Sequence, residues 1–226
     1  MRTGQKKPLR LLVTGFGPFP GVADNPSAWL VRRLRRAGFA AAHAGVSPAF
    51  AVFPTEWGAL PRIHALTLSR TRPDLVVHFG VSACARAFHI EALAHNHADG
   101  RADARGHQTS ASLIAPRAPE VLETSLTVGK IVARLQGRGL PARASDDAGG
   151  YICNMTYFLT LALGLRGLST PVALFVHIPP FEAGTLTPGQ LLAGARAVIS
   201  QAIYQAREYS APARRRHTIV APDLLS

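Results

Sequence analysis

Short apolar runs bounded by glycine or proline recur along the chain, and longer stretches with helical periodicity lie between them. Residues 9–14 (LRLLVT), closed by Gly15, read as a buried first strand. Residues 74–79 (DLVVHF), between Arg72-Pro73 and Gly80, give the clearest strand. Residues 171–176 (PVALFV) give another, which runs into His177 and is halted by Ile178-Pro179-Pro180. Weaker strand patterns cover 47–53, 88–94 and 141–145. One helix is predicted from Asn25, a suitable N-cap with Pro26 at the first helical position, to about Arg36. Others are predicted over 56–69, over 127–136 with Thr124 or Ser125 as cap, and over 188–208 as an amphipathic helix. Residues 152–165 hold no charge, Gly or Pro before Gly164, so that helix is expected to be buried on most sides. Residues 81–86 read as a loop of small residues. Residues 97–121 show no periodicity, and so long an irregular stretch in a compact domain is usually functional or disordered.

Strands alternating with helices predict an α/β fold: a three-layer α/β/α sandwich around a mainly parallel, twisted mixed sheet. The expected organisation is one domain over 1–226, with a basic, loosely held tail from about 210. There are no internal repeats. In sheets of this kind chemistry gathers at the carboxyl ends of strands. Phe16, Gly80, the Gly149-Gly150 turn and His177 all fall at such ends, and are expected to converge on one edge.

Composition narrows the class. An apolar content of 47% against 17% charged fits a globular protein with a sizeable core. Two cysteines, Cys84 and Cys153, give no disulfide framework. The basic start is followed only by a short apolar run interrupted by Gly15, Gly17 and Pro18, so no secretory or membrane segment is read and a cytoplasmic location is expected. The net charge of +12 is concentrated in Arg32-Arg33-Leu34-Arg35-Arg36 and Arg214-Arg215-Arg216. No nucleic-acid motif or aromatic interleaving accompanies it, so it reads as a solvated helix face plus a basic tail rather than a nucleic-acid footprint.

The candidate chemistry centres on Ala148-Gly149-Gly150-Tyr151-Ile152-Cys153-Asn154. Two glycines precede the apolar helix, which puts Cys153 at its N-terminus, where unpaired N–H groups and the positive end of the dipole favour a thiolate. The glycine-rich entry also lets a substrate carbonyl approach the backbone. His177, at the end of its strand, is the candidate base, and a third group should orient the imidazole. Glu91, Asp146 and Asp147 are candidates for that role, and spacing alone does not choose among them. The loop Phe16-Gly17-Pro18-Phe19-Pro20-Gly21 carries two aromatics that either meet a ligand or fold back into the core. A rival constellation is His89, His95, His97 and Asp99 with Cys84 nearby, which would suit a metal-dependent hydrolase but matches no recognised ligand spacing.

The cysteine motif resembles that of the pyroglutamyl peptidase I family of cysteine peptidases. Thr14-Gly15-Phe16-Gly17-Pro18-Phe19 with Asn25-Pro26-Ser27 is similar to the family's opening. Pro73-Asp74-Leu75, Glu91-Ala92-Leu93-Ala94-His95-Asn96 and Phe175-Val176-His177-Ile178-Pro179 are similar to further family segments, in order, from residue 9 to about 181. The resemblance implies Cys153 as nucleophile, His177 as base and then acid, and Glu91 as orienter. The implied reaction is cofactor-free hydrolysis of an N-terminal pyroglutamyl residue from a blocked peptide. It implies Phe16 and Phe19 packing on the lactam, Tyr151 as a wall, Asn25 and Val81 in the same pocket, the Cys153 N–H at the oxyanion, and Arg101 in support. Homo-oligomers, often tetramers, are implied as well, and no metal. The chain departs from the family where Val81 replaces a lactam-binding glutamine, in the altered segment 102–108, and in Pro180 where an aromatic is usual. The alternatives are a related N-blocked or cyclic acyl group as substrate, or a non-catalytic binding protein on the same fold.

Overall fold

The computed structural model describes residues 7–36, 43–166 and 171–209, so the predicted basic tail lies outside the described residues. In chain order the elements are β1 (Leu9–Phe16), α1 (Pro26–Arg36), β2 (Val46–Phe53), α2 (Leu60–Thr71), β3 (Leu75–Val81), β4 (Phe88–Glu91), β5 (Leu93–His95), β6 (Val121–Glu123), α3 (Val128–Gln136), β7 (Ala142–Ser145), α4 (Ile152–Leu161), β8 (Val172–Ile178) and α5 (Pro188–Tyr209). Six strands form one sheet in the order β2-β1-β3-β8-β4-β7, and β5 pairs with β6 in a second sheet. The pairings β1–β2, β1–β3, β3–β8 and β4–β7 are parallel, whereas β4 meets β8 antiparallel. The mainly parallel mixed sheet with helices on both faces is the expected α/β sandwich.

Alternation along the central strands divides the core. Leu75, Val77, Phe79 and Val81 of β3 and Leu174, Val176 and Ile178 of β8 pack with α1, α3 and α5. Leu12 and Phe16 of β1, Val76 of β3 and Ala173 and Phe175 of β8 pack with α2 and α4. Every residue of β3 is buried, as a strand covered on both faces requires. The arginines of α1 at 32, 33, 35 and 36 are exposed around the buried Leu34, as expected for a solvated helix face. Among the described residues no helix is long and apolar enough to cross a membrane.

Several boundaries differ from expectation. The helix predicted from residue 56 begins at Leu60; ahead of it the Trp57 N–H is taken by Asp103 Oδ2 at 3.0 Å and Glu56 pairs with Arg105 at 3.0 Å. Thr127, not Thr124 or Ser125, precedes α3; the Thr124 hydroxyl instead donates to the carbonyl of Ala173. The cysteine helix ends at Leu161 and tightens into a 3₁₀ turn over Ala162–Arg166. Val81 belongs to β3, in register with Ile178, and not to the loop that follows. The single strand predicted over 88–94 is two, divided at Ala92, whose N–H still bonds the Ser145 carbonyl at the end of β7 while its carbonyl accepts from Thr124 N beside β6. Because β4 and β7 run against β8, the site edge meets their amino ends. The Gly149-Gly150 turn reaches the site only by folding back over the sheet face, where the Asp99 N–H donates to the Gly150 carbonyl.

A buried polar chain ties α4 to the sheet and to α2. Thr160 Oγ1 lies 2.8 Å from His64 Nε2 and 3.0 Å from His78 Nε2, and it donates to the Thr156 carbonyl at 2.9 Å. Its one proton is thus spent, so both imidazoles donate to it through Nε2–H. His78 Nδ1 then accepts from Thr14 Oγ1 at 2.6 Å. Burial lowers His64 to about 4, and burial together with His64 holds His78 well below the ordinary histidine value. Both groups therefore contribute stability that is present above about pH 6.5 and lost as pH falls toward 4. For His64 this is about 3 kcal/mol between pH 7 and 4. Urea unfolding across this range should show that loss. His64→Gln, which keeps an amide donor for Thr160 but cannot titrate, should have a slope shallower by one proton; equal slopes in variant and wild type would refute the assignment.

Candidate active site

Strand register builds the site in two rows on the face that carries α4. The outer row is Gly80, His177, His89 and Arg143, successive partners across β3, β8, β4 and β7. The inner row is Thr14, His78, Phe175, Glu91 and Ser145, across β1, β3, β8, β4 and β7. Residues paired in register point to the same face, and diagonal neighbours are within reach of long side chains. Glu91 can therefore extend from the inner row to the outer: its Oε1 lies 2.8 Å from His177 Nδ1. Glu91 is fully buried and His177 is 6% exposed. A carboxylate at Nδ1 fixes the proton there and leaves the other ring nitrogen free for Cys153, which lines the same cavity. The second oxygen of Glu91, Oε2, is buried without a hydrogen-bond partner, and the Tyr157 hydroxyl holds the Glu91 carbonyl at 3.1 Å.

Burial alone would depress His177, but hydrogen bonds and charge from Cys153 and Glu91 outweigh it and raise the imidazole to about 9. His89, its neighbour in the outer row, is shifted the other way, first by burial and then by the Arg143 charge.

Cys153 is the second residue of α4 and is half-buried. Tyr151 precedes the helix in an extended conformation and makes no side-chain cap, so first-turn N–H groups of α4 have no intrahelical acceptor. Two glycines create the space. A Cβ on Gly80 would lie 2.8 Å from Cys153 Sγ and 2.7 Å from Phe175 Cζ; one on Gly150 would lie 2.8 Å from Asp99 Cβ and 2.9 Å from His97 Cδ2. Any side chain at Gly80 would push the thiol off His177.

A cavity of about 1130 Å³ opens over these groups, with Phe16, Phe19, Asn25, Val81, Tyr151 and Arg101 in its lining. Phe16 is 1% exposed, its ring 6.2 Å from Phe53 and 6.1 Å from Phe175, so it folds back into the core and offers the cavity only an edge. Phe19 stands 6.2 Å from the Tyr151 ring. Asn25 is the predicted cap: its Oδ1 accepts from Ser27 N and Ser27 Oγ and its Nδ2 donates to the Gly17 carbonyl, so its polar atoms are spent on the loop. Val81 packs into the core beneath α1 and α5 while bordering the cavity. Tyr151 is fixed by its hydroxyl on the Ala102 carbonyl and by Trp57 edge-on at 5.3 Å; burial, then Asp103, raises its phenol to about 12. The Arg101 guanidinium covers the Tyr151 ring at 4.9 Å and is paired with Asp99 at 2.7 Å.

Of the other acids considered, Asp146 and Asp147 are exposed, and Asp147 Oδ1 accepts from the Gly149 N–H at 2.7 Å, so they shape the turn and do not touch the imidazole. The rival histidines are dispersed to other partners: His89 to Arg143, His95 to the Asp146 carbonyl, and Asp99 to Arg101. Among the described residues no group of three or more His, Cys, Asp or Glu is arranged to hold a metal ion. Cys84 is exposed on the cavity rim.

Sequence reasoning missed three supports. Asn154, fully buried beside the thiol, accepts from His95 N and donates to the His95 and His97 carbonyls, clamping β5 to the cysteine helix. Its signal was an amide in an apolar helix, which must find partners. Asp103 accepts from the N–H groups of Trp57, Arg105 and His107, and so organises the segment that shows no periodicity. Arg143 lies beside His89 in the outer row, and only strand register reveals it.

The family model described as pyroglutamyl peptidase matches residues 9–193. A pyrrolidone-carboxylate peptidase of Gloeobacter violaceus is 37% identical over 176 residues, covering 76% of this chain and 82% of that protein. A Pyrococcus furiosus pyrrolidone-carboxylate peptidase is 32% identical over 172 residues, covering 76% and 81%. The solved structure of a mutant pyrrolidone carboxyl peptidase from Pyrococcus furiosus superposes with a TM-score of 0.77 at 27% identity, covering 86% of this chain and 98% of that one. With a family model spanning both Cys153 and His177, and relatives matched over most of their own length, the chain belongs to the pyroglutamyl peptidase family.

Proposed function

We propose that the chain hydrolyses an N-terminal pyroglutamyl residue from peptides by a Cys153–His177–Glu91 triad through an acyl-enzyme. The observation that carries this reading is the buried His177–Glu91 contact at 2.8 Å, with Cys153 at the start of α4 and its Sγ beside Gly80, the register partner of His177. The Cys153 thiolate adds to the pyroglutamyl carbonyl carbon, and the oxyanion develops over the amino end of α4, within reach of the Cys153 N–H. The C–N bond breaks as the His177 imidazolium gives its proton to the departing amine, leaving a thioester. Neutral His177 then takes a proton from water as the water oxygen attacks the thioester carbonyl. The C–S bond breaks, releasing pyroglutamate and restoring the thiolate–imidazolium pair. Glu91 orients the ring and supports its positive charge.

Pyroglutamate is a flat, neutral lactam with no free amine. A pocket of Phe19, Val81, Tyr151 and the edge of Phe16 suits such a group, since it buries apolar area and demands no charge partner. Arg101, pinned between Asp99 and Tyr151, serves this pocket as a support for Tyr151 and not as a proton donor. Val81 also favours a second reading. It gives the lactam no hydrogen bond, so a related cyclic acyl group that lacks the lactam N–H would bind comparably well.

Release of a fluorogenic amine from a pyroglutamyl amide is expected in the wild type and should fall about 10³-fold or more in Cys153→Ala. Wild-type turnover of a cyclopentanecarbonyl amide but not of the pyroglutamyl amide would favour the second reading, and an inert Cys153 toward alkylating agents would defeat both.

His177 is raised, so its proton is present below and lost above about pH 9, and the alkaline limb of kcat/KM should fall there. Glu91→Gln removes one of the groups that raise it, so the limb should move to lower pH and kcat/KM should drop about 10²-fold or more. An unmoved limb in Glu91→Gln would remove Glu91 from the orienting role.

A further inference from the structure

The cavity does not end at the catalytic groups. The proposed acyl pocket lies on the β1 and β3 side of Cys153, formed by Phe16, Phe19, Val81 and Tyr151, whereas the lining continues on the other side over β4 and β7 to His89 and Arg143. If the pyroglutamyl ring fills the first region, the departing peptide crosses the second. Each rim carries a guanidinium, but Arg101 on the first is neutralised by Asp99 and lies over the Tyr151 ring, whereas Arg143 on the second has a neutral imidazole beside it.

Arg143 is exposed on the edge strand β7, and register sets where its backbone lies. It is the register partner of His89, which in turn is the partner of His177. Arg143 Nη2 lies 3.3 Å from His89 Nδ1. A guanidinium only donates, so His89 Nδ1 accepts and the His89 proton resides on Nε2. His89 is 9% exposed, and burial and the Arg143 charge both disfavour its protonation, so Arg143 is the cation of the pair. None of the ion pairs among the described residues includes Arg143, although the chain carries carboxylates close by in sequence. Asp146 and Asp147 are on the cavity rim beyond the end of β7, neither forms an ion pair with Arg143, and the Asp147 carboxylate already holds the Gly149 N–H. The Arg143 backbone is two strands from that of His177, about 10 Å. A long side chain on the residue after the scissile bond, together with the arginine side chain, spans that gap.

We propose that Arg143, steadied by His89, is a leaving-side subsite that binds a carboxylate on the residue following the pyroglutamyl group. The inference rests on the pyroglutamyl peptidase reading above. The carboxylate has two possible sources, an acidic side chain or the free terminus of a dipeptide, and the same guanidinium fork serves either.

The test compares kcat/KM for two substrate pairs, with the released amine quantified by chromatography. Pyroglutamyl-glutamate amide against pyroglutamyl-glutamine amide isolates the side-chain carboxylate. Pyroglutamyl-alanine against pyroglutamyl-alanine amide isolates the terminal one. In the wild type the charged member of at least one pair should be preferred by about tenfold at low salt, less at high salt, and the responding pair identifies the source. Arg143→Ala should bring that ratio to about one, Arg143→Lys should keep part of it, and Arg143→Glu should invert it. Ratios compare substrates within one protein preparation, so a partly folded variant still reports. Wild-type turnover with no preference in either pair, or a preference that survives Arg143→Ala, overturns the subsite alone. Wild-type inactivity on all four substrates overturns the peptidase reading and the subsite with it.

Discussion

A carboxylate and an imidazole buried together constrain nearly everything around them. Taking such groups out of water is costly, and the cost is offset only when geometry is tight and the environment stays ordered. At Glu91 and His177 the contact is 2.8 Å, and no other protein side chain bonds the Glu91 carboxylate. Displacing either residue by one position along its strand would turn it to the opposite face, among the aliphatic side chains under α1 and α5. The register of β4 on β8 is thus as much a functional constraint as the identity of the side chains.

The same constraint explains the backbone above the pair. The thiol must approach a ring that already lies against the sheet, so the neighbouring strand must present no side chain at that level. Gly80 meets the requirement, and a methyl group there would collide with both Sγ and Phe175. The helix bearing Cys153 must begin there, which Gly150 permits by passing close to His97 and Asp99. Asn154 then ties the helix to β5 through both faces of its amide, so the thiol is located by hydrogen bonds as well as by packing.

Much of this was legible in the sequence, because local patterns govern it. The apolar runs of β1, β3 and β8, the Asn25 cap, and the glycine-rich entry to the cysteine helix each follow from near neighbours in the chain. Other features depend on distant partners and leave no local mark. The reversal of β4 and β7 relative to β8 is a property of pairing, so nothing in residues 88–94 or 141–145 announces it. The division at Ala92 falls where its N–H still bonds the Ser145 carbonyl while its own carbonyl accepts from Thr124 N. The segment after Asn96 lacks periodicity since one buried carboxylate, Asp103, organises it in place of a repeating apolar face. Arg143 reads in sequence as one more arginine in an arginine-rich chain, and only register puts it in line with His177.

Four histidines over this one sheet face show how environment divides a single residue type. His64 and His78 share the hydroxyl of Thr160, a partner that accepts a proton's hydrogen bond without stabilising its charge, so burial prevails and both remain neutral. His89 is beside a guanidinium and is held neutral as well. His177 alone has a carboxylate and a thiol on its ring, and it alone is raised. Phe175 separates the two kinds, 5.9 Å from His78 on one side and 4.8 Å from His177 on the other. An apolar ring there lies between the raised imidazole and the neutral network below. Of these four imidazoles, only His177 is placed to hold a positive charge near neutral pH. The surrounding histidines do structural work that requires them to stay uncharged.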